Sequence, residues 1–482
     1  MTQSKYDVVV VGAGLSGISA AYYLQEKCPD RTFTVLEARA AIGGTWDLFK
    51  YPGIRSDSDM YTFGFPFNPW KNPQAIADGS SILQYINETA DDFHIREKIQ
   101  FNRRVTTAAW SSSAKQWTLE VDNAEADASE SIVCNFLFMC SGYYNYAQGH
   151  EPTFPNRDAF QGKIIHPQKW EPDLDYADKR VVIIGSGATA VTLLPELAKQ
   201  AREVTMLQRS PTYITNLPSQ DAIANILKSI LPAKLAHRLA RWKNILIGLG
   251  FYQAARKFPN FIRNLLKKHI QKQLGDKYVD KHFNPKYNPW DQRLCLVPDN
   301  DLFEALNKDN ARIVTDTITS FTEDGIALQS GETLPADIIV TATGLNVQLF
   351  GGMKLMVDEQ RINTADIHAY KGVMFSEIPN FAVAVGYTNA PWTLKCDLNC
   401  QFITKVLNYM QENHYSVCVP KFDYKHLESE PLLDFDAGYI LRASHVLPKQ
   451  GSKAPWKVYQ NYIKDLFSLK YGNVRDKYLE YT

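Results

Sequence analysis

Long apolar runs, each ending at a glycine cluster, set the rhythm of the chain. Asp7 to Val11 is an unbroken, β-branched stretch that opens into GAGLSG (12–17) and continues as ISAAYYLQEK (18–27), where apolar positions recur at helical spacing. Runs this continuous predict strands covered on both faces, as in a parallel sheet, rather than strands with one face in water. The pattern returns 173 residues later (185 − 12): RVVIIG leads into GSGATA (185–190) and then the helical VTLLPELAKQ. A second strand follows each unit, TFTVLE ending at Glu37 and EVTMLQRS, which carries Gln208 and Arg209. FLFMCSGYYN (136–145) and DIIVTATGLN (337–346) read as a buried strand and turn apiece, and both predict places where the chain crosses between domains. From Asp221 to Gly275 the period becomes helical.

The glycine spacing gives these units a chemistry. Gly12 permits the tight turn, Gly14 lets a pyrophosphate reach the backbone, and Gly17 lets the helix pack close to its strand. The helix N-terminus then faces the phosphates, with Ser16 in its first turn. Glu37 stands twenty residues past Gly17 (37 − 17), where a carboxylate accepts hydrogen bonds from ribose hydroxyls and repels a 2′-phosphate. This first site suits FAD or NAD. In the second unit Gly185, Ser186, Gly187, Ala188, Thr189 and Ala190 form the loop, and Arg209 with Gln208 stands where the first unit has its Glu. A guanidinium there matches a 2′-phosphate in bidentate fashion, which predicts NADPH. Two different ribose readers imply two nucleotides bound together, with hydride passing from nicotinamide to flavin.

The predicted fold class is α/β: two Rossmann-like dinucleotide-binding domains, with a helical insert in the NADPH domain. The first part of the FAD domain spans 1–145, and 146–214 holds the linker and the start of the NADPH domain. The insert spans 215–290, the rest of the NADPH domain 291–335, and the return segment of the FAD domain with the C-terminal region 336–482.

Composition narrows the picture. The 52 basic and 52 acidic residues cancel, which argues against nucleic acid as a partner. Seven scattered cysteines with no C-x-x-C predict neither a disulfide framework nor a metal site, and Cys396 and Cys400 read as buried thiols. The N-terminus runs directly into a strand, and no stretch of eighteen apolar residues occurs, which predicts a cytoplasmic protein. One region departs from neutrality: residues 221–275 hold eleven Lys or Arg against Asp221 alone, a net of +10, interleaved with Ile, Leu, Phe and Trp242. A helical cover over the active site, a surface docking peripherally on the inner face of an anionic membrane, and a partner-binding face all fit this pattern.

Two further segments carry family features. GGTWDLFKYPGIRSD (43–57) offers the Gly43–Gly44 pair, a flat Trp46, a turn at Pro52–Gly53, and Asp57. AFQGKIIHPQKW (159–170) matches F-x-G-x-x-x-H-x-x-x-W through Phe160, Gly162, His166 and Trp170. On these motifs the chain resembles the type I Baeyer-Villiger monooxygenases. CSGYYNY, MLQRSPTYI and YNPWDQRLCLVP extend the similarity, nearly end to end, to a mycobacterial member of that family.

The resemblance implies FAD and NADPH as cofactors and O2 as co-substrate. It also implies conversion of small apolar ketones to esters or lactones via a peroxyflavin, with oxidation of sulfides or thioamides at the same site. Gly44, Thr45, Trp46, Asp47, Leu48, Arg55, Asp57 and Val105 join the flavin contacts by the same resemblance. Arg293 becomes the catalytic cation, Asp57 its carboxylate partner, and His166 either a proton donor or an anchor of the linker. Gln292 stands where many members have lysine, which leaves the 2′-phosphate more dependent on Arg209. Two alternatives stay open: a microsomal-type flavin monooxygenase acting on nitrogen and sulfur nucleophiles, and a non-catalytic NADPH-sensing flavoprotein. Trp70, Tyr143, Tyr144 and Trp392 are candidates for an apolar substrate pocket.

Overall fold

A computed structural model describes residues 4–292, 294–433 and 438–482. The first apolar run forms the strand Ser4–Val11, flanked by parallel strands Phe33–Leu36 and Ala128–Met139 at the centre of a nine-stranded sheet. Val8, Val9 and Val10 are fully buried because helix Leu15–Lys27 covers one face of this sheet and side chains of further strands pack on the other. Those strands are Arg103–Ser111 and Gln116–Asn123, which continue the same twisted sheet antiparallel beyond Ala128–Met139 and bring Trp110 and Trp117 into one core with Val9 and Leu36.

The second sheet has five strands, all parallel. Its order is Ala311–Thr315, Glu203–Gln208, Arg180–Ile184, Ile338–Thr341 and Lys163–Ile165. Strand Ile338–Thr341 pairs with Arg180–Ile184, so the chain stays in this sheet beyond 335 and crosses back only after Thr341. The two crossings run side by side: Tyr144–Gly149 and Leu345–Val347 form an antiparallel pair between the sheets.

The insert is helical: Ala222–Ile230, Ala233–Lys257, Pro259–Leu274 and Asp276–His282. It reaches from the second domain onto the first. Buried Arg241 donates from Nη1 to the carbonyl oxygens of Tyr61 (2.9 Å), Thr62 (3.2 Å) and Gly64 (2.9 Å), satisfying the C-terminal end of helix Met60–Phe63. Asn244 Nδ2 donates to Asp59, the N-cap of the same helix, at 2.8 Å. Ser219 accepts from the backbone amides of Ala75 and Ile76. One short helix of the first domain is thus held at both ends by the insert.

Candidate active site

The first glycine loop is closed by its neighbours. A Cβ on Gly17 would lie 1.8 Å from the Gly12 carbonyl oxygen, and one on Gly12 (φ +107°) 2.6 Å from that of Cys140, so only glycine permits this turn. The Gly43–Gly44 pair folds over it: Gly43 donates to Ala13 O at 3.1 Å, and a Cβ on Gly14 would sit 3.6 Å from Gly44 Cα. Glu37 is only 6% exposed. Its Oε2 accepts from the Ala13 amide at 2.7 Å and its Oε1 from the Arg39 amide at 2.8 Å. Burial pushes this carboxyl above its ordinary value, against the lowering effect of the two amides. Each oxygen keeps a further lone pair, which leaves room for ribose hydroxyls.

Ser16 is tied to the C-terminal region. Its hydroxyl donates to Cys396 Sγ at 3.3 Å and accepts from Trp392 Nε1 at 3.0 Å. Around the loop, Gly44 caps helix Thr45–Leu48, and Thr45 Oγ1 lies 3.1 Å from the Tyr146 hydroxyl. Asp47 pairs with Arg39 and Lys50, Trp46 packs edge-on to Phe63, and Leu48 is half-buried. Val105 lies in the core beside Val9 and Leu36.

The second loop is open. Gly185 (φ +144°) is confined by the Ala342 carbonyl, 2.3 Å from where a Cβ would stand, whereas nothing lies within 4 Å of a Cβ on Gly187. Ala188 and Thr189 begin helix Ala188–Leu197, and Ala190 is fully buried against the sheet. Gln208 turns inward: its Nε2 donates to His282 O at 2.8 Å and Thr315 Oγ1 at 2.9 Å, so its amide nitrogen is engaged in the fold. Arg209 is exposed and makes no ion pair among the described residues.

The segment at 51–57 links the two loops. Thr189 lies near the Tyr51 hydroxyl; burial pushes that hydroxyl up to about 12 against the lowering effect of Thr189, with the nearby Asp57 charge adding to the rise. A Cβ on Gly53 (φ +74°) would strike Glu196 Cγ at 2.2 Å, so this turn lies directly on the second nucleotide helix. Arg55 pairs with Asp301 of the second domain; burial raises the Asp301 carboxyl while Arg55 lowers it. Asp57 is half-buried and accepts from Ser58 Oγ at 3.4 Å.

Arg293 lies outside the described residues. The chain just beyond it is anchored at the second loop: strand Cys295–Pro298 pairs with Ile214–Leu217, and Cys295 Sγ lies 3.9 Å from Ser186 O. His166, 7% exposed, sits at the interdomain crossing. Its Nδ1 accepts from the Gln168 amide at 3.2 Å and its Nε2 lies 3.2 Å from Gly344 O. Its ring fills the space where Gly149 would carry a Cβ, 2.1 Å away, and burial lowers its pKa. With both nitrogens engaged against the paired crossings, it has the geometry of a linker anchor.

Tyr143 stacks on Trp392 (4.9 Å, 19°), and both line an apolar cavity of about 100 Å³ with Leu349, Phe350 and Tyr439. Trp70 belongs elsewhere, in the first-domain core against Tyr85 with its Nε1 on Gln74 O. A buried charge pair at the edge of this cavity has no signature in the local sequence pattern. Lys395 pairs with Asp465 at 2.9 Å, and Tyr387 donates to the same carboxylate at 2.7 Å.

Known proteins place this architecture. The family described as flavin-binding monooxygenase-like matches residues 5–243. The chain is 53% identical over 480 residues to the FAD-containing monooxygenase EthA of Mycolicibacterium smegmatis, covering 99% of this chain and 97% of that one. It is 51% identical over 478 residues to EthA of Mycobacterium tuberculosis, with the same coverage. Its fold is shared with OTEMO, solved in complex with FAD and NADP, at a TM-score of 0.78, 22% identity and full coverage of both chains. The chain belongs to the flavin-binding monooxygenase-like family, matching its FAD-containing monooxygenases from end to end.

Proposed function

We propose that this enzyme holds FAD on the loop at 12–17 and NADPH on the loop at 185–190, and oxygenates small apolar ketones to esters or lactones. Sulfides and thioamides are oxidised at the same site. In the overall reaction, ketone, O2, NADPH and a proton give ester, NADP⁺ and water. When bound, the flavin would supply the redox chemistry, hydride acceptance and oxygen activation.

The chain's own residues do the rest. The closed first loop fits a resident dinucleotide: Glu37 holds the turn through the Ala13 amide and keeps lone pairs for the ribose. Space beside Gly187 admits a pyrophosphate, and exposed Arg209 meets a 2′-phosphate. By the family resemblance, Arg293 would supply a fixed positive charge to stabilise negative charge developing on oxygen, with Asp57 as its carboxylate partner. His166 anchors the linker, and the apolar cavity beside Trp392 excludes water from the substrate.

The observation that carries this reading is convergence on one loop. Gly53, four residues before Asp57, lies against Glu196 of the helix that this loop opens, and Cys295, two residues after 293, reaches Ser186. The test quantifies ester, hydrogen peroxide and NADPH consumed with a medium-chain ketone, for wild type and Arg293→Ala. Wild type should form ester in proportion to NADPH. The variant should still be reduced by NADPH while ester falls about 100-fold or more and peroxide replaces it. Near-normal ester from the variant overturns the role of Arg293, and peroxide alone from wild type, with ketones and thioethers alike, makes the enzyme an oxidase.

A further inference from the structure

The insert has two apolar faces on each of three helices, and only one of them is used inside the protein. In helix Ala222–Ile230, Ala224 is buried while Ile223 (56% exposed), Ile226 (60%) and Ile230 (69%) project outward at spacings of three and four. Helix Ala233–Lys257 buries Ala236, His237, Ala240, Arg241 and Ile245, yet exposes Leu239, Leu246 and Ile247. Helix Pro259–Leu274 buries Ile262, Leu266 and Ile270, and turns Phe261 and Leu265 to solvent beside Phe258. Exposed large apolar side chains are ordinary when scattered; here they fall within 45 residues of a chain whose remaining surface shows few.

Cations accompany them. Lys234, Arg238, Lys268 and Lys272 are exposed and make no ion pair among the described residues, and Lys257 lies over the Phe258 ring at 5.5 Å. Asp221, the one acid of 221–275, is taken by Lys243. The stretch holds a formal +10 in a chain of net zero charge; Arg241 is buried and Arg256 and Lys267 pair with Asp291 and Asp280, so the outward charge rests on Lys234, Arg238, Lys257, Lys268 and Lys272. A second copy of this face would be repelled by it, and a nucleic-acid backbone offers nothing to isoleucine and phenylalanine. A sheet of anionic headgroups over acyl chains complements both features. No helix among the described residues is long and apolar enough to cross a membrane, so contact would be peripheral.

We infer that the outer face of helices 222–230, 233–257 and 259–274 docks the enzyme on an anionic phospholipid bilayer, with Ile226 and Phe261 entering the headgroup boundary. The face carries no residue of either nucleotide loop, so docking and turnover are separable by mutation.

The experiment is cosedimentation of the full-length FAD-loaded protein with phosphatidylglycerol–phosphatidylcholine vesicles and with phosphatidylcholine vesicles, at low and high salt. NADPH oxidation is followed in parallel. Binding should require the anionic lipid and weaken as salt rises. Lys234→Gln/Lys257→Gln/Lys268→Gln should weaken it about 100-fold, and Ile226→Ser/Phe261→Ser about tenfold or more, with NADPH oxidation unchanged in both. Absence of binding to anionic vesicles at low salt, or wild-type binding by either variant, overturns the inference. So does sedimentation velocity without lipid showing a dimer that Ile226→Ser/Phe261→Ser dissociates, which would make this face an interface between copies.

Discussion

The two glycine loops share a strand–turn–helix plan, yet their surroundings differ. At 12–17 the turn is hemmed in by distant segments: Gly44 lies over Gly14, Glu37 grips the Ala13 amide, and Trp392 reaches in to Ser16. At 185–190 the turn is confined at Gly185, but the space beyond Gly187 is clear and Arg209 stands in solvent. A loop enclosed by long-range contacts suits a ligand that stays, because release requires breaking them. An open loop with an exposed cation suits one that exchanges each turnover. Evolution of one motif into two roles therefore depends less on the glycines than on what packs around them.

The comparison breaks or sharpens at the glycines first. Gly17→Ala drives a Cβ to 1.8 Å from the Gly12 carbonyl and should leave a protein without stoichiometric flavin, read from its visible absorbance per chain. Gly187→Ala meets no protein atom within 4 Å. It should keep the flavin and raise KM for NADPH about tenfold, with Arg209→Ala raising it by about one to two powers of ten over NADH. Flavin loss from Gly187→Ala would erase the distinction.

A smaller effect concerns how the insert is seated between the two regions. Burial, aided by Arg241 and Lys228, lowers His237 to about 4, and among the described residues neither of its ring nitrogens has a hydrogen-bond partner. The unfolded chain, with histidine near 6.5, binds more protons than the folded one between about pH 4 and 6.5. Stability is therefore fully present above about 6.5 and is lost as pH falls toward 4. His237→Phe should flatten that slope by about 1 kcal/mol per pH unit, checked by denaturant unfolding at pH 6.5 and 5.

Both nucleotide units and the helical insert were legible in the sequence because each is a local pattern, of continuous apolar run, glycine spacing or helical period. The candidate site was legible only where a motif is contiguous. The position of Gln208 beside Arg209 is contiguous with its motif, but its contacts with His282 and Thr315, far along the chain, are not encoded there. Trp392 on Ser16, Arg241 under helix 60–63, and the Lys395–Asp465 pair depend on packing between distant segments, which periodicity does not encode. Periodicity marked the isoleucines of 222–230 as one stripe without saying that the stripe faces out.

The most direct test of the division between the loops is the nucleotide content of the purified enzyme after exhaustive gel filtration, followed by anaerobic titration with NADPH. Close to one FAD per chain, no retained nicotinamide, and complete flavin reduction on adding NADPH is the predicted result. Loss of FAD with retention of nicotinamide, or a flavin that NADPH leaves oxidised, would contradict it.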